Sequence, residues 1–352
     1  MSDSVKLDAL FAKCENCGSN LKYSPDDKGL GCAQCGAVEP IPSTQINVKK
    51  PYENVMDDDL LNWQDIPKHL NCKNCGALIK IRNEISIDCP YCDSQNVLIQ
   101  KDIKGLYPSQ IIRFDFCRKT ASNNFVSQVK KKFFVPNSFK KMIPERSIEG
   151  FYLPAFSFDA DSKSTYSGRL YRYETRVSDG RSRNVAVYFN ISGSLDFKHR
   201  DVLVESNSEV SQYHLEQLFP YNISEKVDFD SRYLFGYVVE QYNEQFKNSV
   251  YKVEQVFKNQ IRQSILRKYS YDGVQRLDVN SIFSNKCFDY IMLPVYRFEY
   301  YYKKKKYLTY MNGQTGKIGG GLPKSKVKIS LCVILGVLAV ALPFILVYAF
   351  GG

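Results

Sequence analysis

Residues 150–158 read GFYLPAFSF, and residues 290–298 read YIMLPVYRF. Both segments place Leu-Pro in the same frame and continue into an aromatic-rich run, which is typical of a β-strand. Because a proline cannot donate to a sheet ladder, Pro154 is expected near an edge or a bulge. The match predicts that one structural unit occurs twice in the chain.

Helical and extended segments precede each copy. The first copy follows an extended segment, 109–116, and a helix, 118–134, whose apolar residues recur at helical spacing. The second copy follows an extended segment, 221–229, and a long predicted helix, 233–269. We therefore predict a duplicated α+β domain with a continuous antiparallel sheet and helices on one side.

Eight of the eleven cysteines form four Cys-x-x-Cys pairs before this domain. A reducing compartment disfavours disulfides, and paired knuckles joined by a hairpin are the plan of a zinc ribbon. Modules of this size cannot fold on a core of their own, so bound Zn²⁺ supplies the missing stability. The predicted ligands of the two structural zinc ions are Cys14, Cys17, Cys32 and Cys35, and Cys72, Cys75, Cys89 and Cys92.

The last long segment, 329–350, reads ISLCVILGVLAVALPFILVYAF and contains no charged residue. A helix of this length matches the hydrocarbon thickness of a bilayer, which predicts one transmembrane helix. Lysines precede the segment, and no signal peptide opens the chain. The expected location is the cell membrane, with a single pass and the N-terminal domains in the cytoplasm.

These features divide the chain into six parts. The predicted order is a first zinc ribbon (1–40), a linker (41–66), a second zinc ribbon (67–100), the duplicated α+β domain (101–311), a Gly/Lys tether (312–328) and the transmembrane helix (329–350).

Net charge and one lysine cluster bear on partners. The formal net charge of +11 suits an acidic partner, whether nucleic acid, an acidic protein or an anionic lipid surface. The run YYYKKKKY places Lys303, Lys304, Lys305 and Lys306 among tyrosines. Three interpretations stay open for it: contact with lipid headgroups, contact with nucleic acid, and a solvated hairpin tip.

The sequence does not match the catalytic motifs that we compared it with. The segment MNGQTGKI lacks the first glycine and the final Ser or Thr of a phosphate-binding loop. The sequence also contains no dinucleotide fingerprint and no HExxH zinc motif. We therefore expect a protein that is not an enzyme.

The chain resembles a bacterial family of membrane proteins with paired TFIIB-type zinc ribbons. The resemblance is carried by the two cysteine quartets, by LPAF at 153–156, by LPVY at 293–296 and by MNGQTGK at 311–317. Members are often labelled primosomal helicases or phage replication proteins, but the unmatched phosphate loop contradicts the ATPase that this label implies. The resemblance implies SPFH (flotillin-like) or phage-shock-type partners and a role in envelope stress.

Together these observations predict a tail-anchored adaptor. Its zinc ribbons and α+β domain would recruit or scaffold protein partners at the membrane. The alternative is a membrane-tethered zinc-ribbon protein that binds nucleic acid, with the ribbons and Lys303–Lys306 as the contact surface. Binding that weakens steeply with salt would favour the alternative.

Overall fold

Three very long strands form the centre of the fold in the computed structural model. The structure describes residues 6–7, 9–10, 12–44, 49–52, 55, 68–81, 84–89, 91–92, 94–98, 106, 108–142, 148–178, 181–206, 210–240 and 246–350. The strands are β1 (Lys6–Leu7), β2 (Ala9–Leu10), β3 (Leu21–Ser24), β4 (Gly29–Cys32), β5 (Val38–Pro40), β6 (Lys50–Pro51), β7 (Lys68–Asn71), β8 (Leu78–Ile81), β9 (Glu84–Asp88), β10 (Gln95–Leu98), β11 (Gln110–Ile111), β12 (Ile148–Ser178), β13 (Arg181–Glu205), β14 (Val227–Asp228), β15 (Val238–Glu240), β16 (Gly273–Tyr302), β17 (Lys305–Asn312) and β18 (Ile318–Gly320). The α-helices are α1 (Arg118–Lys131), α2 (Asn137–Met142), α3 (Gln212–Leu218), α4 (Phe246–Leu266) and α5 (Lys326–Phe350).

Strand β12 lies between the other two long strands and pairs antiparallel with both of them. Its register with β16 places Leu153 directly opposite Leu293. The two Leu-Pro segments that match in sequence are therefore neighbours in the sheet. The α+β fold class with antiparallel sheets is confirmed.

Each half of the domain contributes one short strand that pairs with a long strand of the other half. Strand β11 runs parallel to β16 with Ile111 opposite Met292, and β15 runs parallel to β12 with Val239 opposite Tyr152. Met292 and Tyr152 are the residues before the two matching leucines. Corresponding positions of the two copies thus make corresponding contacts, and each half places a short strand beside the long strands of the other half.

The second copy differs from its predicted course. Its opening strand is β15, whereas the sequence predicted an extended segment at 221–229 and one long helix over 233–269. Gly236 has a φ of +97°, outside the range of a right-handed helix. Val238 and Val239 then pair with β12, because β-branched residues fit a half-buried strand well. The described helix α4 spans Phe246–Leu266.

Helices cover both faces of the sheet, not one. On the first face, Phe125 of α1 stacks on Phe298 with ring centroids 4.1 Å apart, and Phe246 of α4 meets Phe156 at 5.0 Å. On the second face, the leucines of α3 join a cluster with Leu153 and Leu293. Both faces are apolar around the Leu-Pro segments, so both need a cover to keep apolar area from water.

The two ribbons attach to this sheet differently. Strands β3, β4 and β5 of the first ribbon form a separate three-stranded sheet. In the second ribbon, β9 pairs antiparallel with β15, so β9 and β10 extend the main sheet. The second ribbon is therefore continuous with the domain, whereas the first is packed against it.

The predicted transmembrane helix at 329–350 is wrong, and so is the single-pass membrane location that depended on it. Across the part of the chain that the structure describes, no helix combines the length and the hydropathy that crossing a membrane requires. A span needs about 20 consecutive apolar residues.

The segment 312–328 is attached to the domain and is not the free tether that its glycines predicted. Strand β18 pairs with β17, with Gly320 opposite Thr309. Further along, the Lys328 ammonium donates to the carbonyl of Phe133 at 2.9 Å and to that of Val135 at 3.1 Å. The beginning of α5 is therefore fixed beside the end of α1.

A network of ion pairs connects the segment between the ribbons to the sheet. Lys49 Nζ lies 2.5 Å from Asp159 and 2.8 Å from Asp201, with only 10% of its side chain exposed. Lys226 continues the network, 3.7 Å from Asp201 and 3.1 Å from the buried Asp289. Burial opposes the charge on Asp201, but the hydrogen bond and charge of Lys49 outweigh it and lower the pKa of Asp201. Because this pKa lies below the unfolded value, the stabilisation is present at neutral pH and is lost as the pH falls through the lowered pKa.

We expect Lys49→Ala to lower the free energy of unfolding by about 2–3 kcal/mol, since it removes the cation beside the partly buried Asp159 and leaves Asp201 with the more distant Lys226. The neighbouring Lys50 is exposed, so Lys50→Ala should change stability by about 0.5 kcal/mol or less. Urea denaturation of both variants measures the difference. Equal losses in the two variants would contradict the role of this network.

Candidate metal centres

Each cysteine quartet converges on one point. The four sulfur atoms of Cys14, Cys17, Cys32 and Cys35 lie within 4.8 Å of one another, and so do those of Cys72, Cys75, Cys89 and Cys92. The structure thus brings all eight predicted ligands together in the two predicted sets. Each set could hold a metal ion.

Tight backbone knuckles aim these sulfurs. In the first pair, the N–H of Gly18 donates to the carbonyl of Cys14 at 2.8 Å, and the N–H of Cys14 donates to Ser19 at 2.8 Å. Gly18, Gly36 and Gly76 have φ values of +72°, +74° and +75°. This left-handed conformation costs glycine almost nothing, whereas a Cβ would strain it. The glycine after the cysteine pair is therefore required by the turn.

Sulfur separations decide between metal binding and disulfides. Cys14 and Cys35 are 3.5 Å apart, and Cys72 and Cys92 are 3.7 Å apart. A disulfide requires about 2.05 Å between sulfurs, so these pairs are not bonded. Four thiolates bound at about 2.3 Å around a tetrahedral ion lie about 3.8 Å apart, close to the observed separations. The geometry fits a tetrahedral ion and leaves no ligand position for water.

The thiols of each cluster cannot all ionise without a cation. In the first cluster, the N–H and the hydroxyl of Ser19 lower the pKa of the Cys17 thiol to about 6. The N–H of Ala37 favours the Cys35 thiolate, but contacts with Cys14 and the other thiols outweigh it and raise its pKa to about 12. Ionisation of one thiol thus makes ionisation of the next less favourable, and a bound divalent cation would offset this repulsion between thiolates.

The second cluster behaves in the same way. Burial opposes ionisation of Cys72, but hydrogen bonds from Ser94 and from the backbone N–H groups of Cys75 and Asn74 lower its pKa to about 6. The N–H of Ala77 favours the Cys75 thiolate, yet burial and the neighbouring thiols raise its pKa to about 12.

Residues outside the quartets also contact the sulfurs and were not predicted: Ser19 hydrogen-bonds to Cys17 in the first centre, and Ser94 and Asn74 contact the second. The hydroxyl of Ser94 lies 3.2 Å from the sulfur of Cys72 and 3.1 Å from that of Cys92. Asn74 Nδ2 donates to Cys92 at 3.4 Å. Such partners orient the ligands of a metal. The sequence does hold a signal, because each quartet has a serine two positions after one of its pairs, Ser19 and Ser94.

The first centre is held directly against the α+β domain. The N–H of Tyr23 in β3 donates to the carbonyl of Phe235 at 2.8 Å. The ring of Tyr23 meets the ring of Tyr233 edge-on, with centroids 5.3 Å apart. Arg118, the first residue of α1, donates from Nη2 to the carbonyl of Gly236 at 2.7 Å. The ribbon and the beginning of α1 thus meet at the same loop.

The predicted lysine contact surface lies at the tip of the β16–β17 hairpin. Lys303 and Lys304 form the turn with φ values of +49° and +63°, and all four lysines of 303–306 are exposed. Lys306 pairs with Glu299 at 2.7 Å. Contact with nucleic acid stays a prediction, whereas contact with headgroups depended on the membrane helix corrected above.

The segment MNGQTGK serves as a structural turn. Asn312 Nδ2 donates to the carbonyls of Leu218 and Pro220 at 3.0 and 3.1 Å. Its Oδ1 accepts the backbone N–H groups of Gln314 and Thr315 at 2.8 and 2.9 Å. A phosphate-binding loop needs such N–H groups for its ligand, and here a side chain occupies them. Gly313 is required because a Cβ would come within 2.5 Å of the ring of Phe114.

Comparisons with known proteins give a relative without a described function. The chain is 26% identical over 322 residues to the uncharacterized protein YdjG of Bacillus subtilis (strain 168), and the match covers 90% of this chain and 91% of that protein. No family model matches the chain. No solved structure matches it either.

We expect the chain to bind two metal ions, one in each quartet. Cys32→Ser removes a buried ligand from the first quartet and should lower the bound metal from two ions to one per chain. Cys117→Ser changes a cysteine outside both quartets and should leave two ions bound. Elemental analysis of the purified proteins measures the ratio. Two ions in the Cys32→Ser variant would rule out the first centre.

The hairpin tip offers a test of backbone strain. Asn-Gly is the preferred pair for a turn with two positive φ values, so replacing Lys303→Asn together with Lys304→Gly should raise the free energy of unfolding by about 1 kcal/mol. Lys305 lies in strand β17, and Lys305→Asn should give no such gain. Thermal or urea unfolding measures both. A loss of stability in the double variant would show that the turn is held by its lysines.

Proposed function

We propose that this chain is a non-enzymatic adaptor that holds two structural zinc ions and recruits a protein partner. Zinc fits the donor sets, because four thiolates in a closed tetrahedron are characteristic of structural zinc sites. An open coordination position, which catalysis by zinc requires, is missing from such a set. The role of the metal is then to hold small modules in one shape.

A cavity between the first ribbon and the domain carries this proposal. It has a volume of about 510 Å³ and lies where β3, β4 and the knuckle of Cys35 face the beginning of α1. Lys22, Arg118 and Lys119 supply positive charge to its wall and outnumber the one acidic lining residue, Asp27. Tyr23, Val38 and Tyr237 supply apolar surface, and Val38 is 45% exposed. Apolar surface beside clustered cations suits a short protein segment that carries both apolar and acidic side chains.

The metal centre shapes this cavity directly. Cys32, a ligand of the first centre, and Gly36 of its knuckle both line the wall. Loss of the metal would remove the closure that holds these residues in place. Recruitment through this cavity therefore depends on an intact first centre.

The partner classes to test first are those that the family resemblance implies, namely SPFH (flotillin-like) and phage-shock-type proteins. An acidic surface on such a partner would meet the basic wall of the cavity. Electrostatic complementarity of this kind raises association rates and excludes wrong partners.

We expect Cys14→Ser and the charge reversal Arg118→Glu/Lys119→Glu each to abolish capture of the partners that the unaltered chain retains. Crosslinking followed by quantitative pull-down measures the captured proteins. Lys258→Glu reverses an exposed lysine in the middle of α4 and serves as the matched control, which should retain every partner. Equal capture by all variants would move recruitment away from this cavity and refute the proposal.

A further inference from the structure

The part of strands β12, β13 and β16 that lies beyond the Leu-Pro segments has one covered face and one exposed face. Ile261 and Ile265 of α4 pack with Tyr166, Leu170 and Ile191 on the covered face. Side chains of a strand alternate between faces, so Ser167 and Arg169 lie on the other side. Their cross-strand neighbours are Ser192 and Asn190 on β13 and Asp278 and Arg276 on β16, and all six side chains are exposed. These six residues, together with Tyr171, Tyr173 and Tyr188, are called the outer face below.

Three tyrosines form a cluster at the distal end of the outer face. Tyr171 is directly opposite Tyr188, and Tyr173 follows two residues later on the same side of β12. The ring centroid of Tyr171 lies 5.5 Å from that of Tyr173 and 5.5 Å from that of Tyr188. Tyr173 is 56% exposed and Tyr188 is 45% exposed. Large aromatic rings are thus presented to solvent side by side.

A glycine on the third strand makes room for this cluster. Gly273 is opposite Tyr171, and a Cβ at Gly273 would lie 2.2 Å from the Tyr171 ring. The ring therefore extends across β16 in the space that a side chain would need. The neighbouring Asp272 fixes the strand end, because its carboxylate accepts the N–H of Tyr173 at 2.7 Å and its own N–H donates to Tyr171 at 2.9 Å.

Positive charge and hydrogen-bonding groups lie next to the rings. The Arg169 guanidinium is 4.9 Å from the centroid of the Tyr188 ring. Arg169 and Arg276 also line a groove of about 730 Å³, together with the polar side chains of Ser167, Asn190, Ser192 and Asp278. Arg276 Nε pairs with the Asp278 carboxylate at 2.5 Å, so the two arginines and one aspartate give the groove a single net positive charge where it adjoins the aromatic cluster.

We propose that the outer face binds single-stranded nucleic acid. Bases would stack on Tyr173 and Tyr188, and Arg169 and Arg276 would neutralise phosphates. The serines and the asparagine of the groove can hydrogen-bond to base edges. The net charge of +11 adds a long-range attraction for a polyanion.

The polar groove favours this ligand over a protein. The buried centre of a protein interface is depleted of charged residues and more apolar than its rim. Here the groove beside the rings carries two arginines, an aspartate and three small polar side chains. Nucleotides use all of these groups at once, because each offers a π-face, hydrogen-bonding edges and a phosphate.

Fluorescence anisotropy with a labelled oligothymidylate of about 12 nucleotides tests the proposal on the full chain with its metal bound. We expect binding at about 50 mM salt that weakens steeply towards about 200 mM. Tyr173→Ala with Tyr188→Ala should weaken binding about tenfold or more, whereas Tyr173→Phe with Tyr188→Phe should retain it. Arg169→Ala with Arg276→Ala should reduce the slope of log affinity against log salt by about 1.4.

Tyr213 and Tyr251 are exposed tyrosines outside this face, 68% and 65% exposed, and Tyr213→Ala with Tyr251→Ala is the matched control that should bind normally. Three results would overturn the proposal: no binding by the unaltered chain at low salt, equal losses in the control and in the Tyr173/Tyr188 alanine variant, or a loss confined to the arginine variant. A Tyr173/Tyr188 alanine variant that binds the oligonucleotide normally but loses a protein partner would assign the face to protein recognition instead.

Discussion

The pairing of β12 with two strands at once is the constraint on which the rest of the molecule depends. Leu153 lies opposite Leu293 on one side, and Phe156 lies opposite Val204 on the other. From Ala155 to Tyr171, β13 and β16 satisfy both edges of the central strand, and β15 takes the place of β13 at Phe151 and Tyr152, so the side chains can serve two apolar faces. Helices α1, α3 and α4 pack on those faces, and the second ribbon continues the sheet through β15.

The ribbons are stabilised by a different kind of interaction from the sheet. Their strands are only a few residues long, so a metal ion bound by four sulfurs would replace the apolar core that a larger module has. Contacts with the domain then fix where each module lies. Tyr23 attaches the first ribbon, and Lys49 secures the segment that leads to the second. A metal ion in each quartet would set the shape of a module, and these few contacts set its position.

Local patterns in the sequence were sufficient to predict the parts of the fold that depend on short-range geometry. Cys-x-x-Cys-Gly dictates a knuckle, and the Leu-Pro match predicted two related strands, although not their length. The pairing of Ile111 with Met292 could not be read from the sequence, because it joins distant segments and leaves no local signal. Val238 and Val239 show the same limit. Their spacing predicted a helix, but in the structure they pair with strand β12.

Hydropathy alone also failed at the end of the chain, where an uncharged run predicted a membrane helix. In the sites, the ligand cysteines were predictable because their chemistry requires a fixed spacing. The roles of Ser94 and of the cavity beside Arg118 depend on how separate elements meet, which no spacing encodes.

The crossed short strands have a consequence for the history of the chain. Strand β11 completes the sheet beside β16, and β15 completes it beside β12, so neither half closes its own edge. A single ancestral unit could have satisfied the same pairings only with a second copy of itself, as a two-fold symmetric dimer that exchanged its short strands. Fusion of two such genes would turn that intermolecular exchange into the covalently linked pseudo-dimer described here.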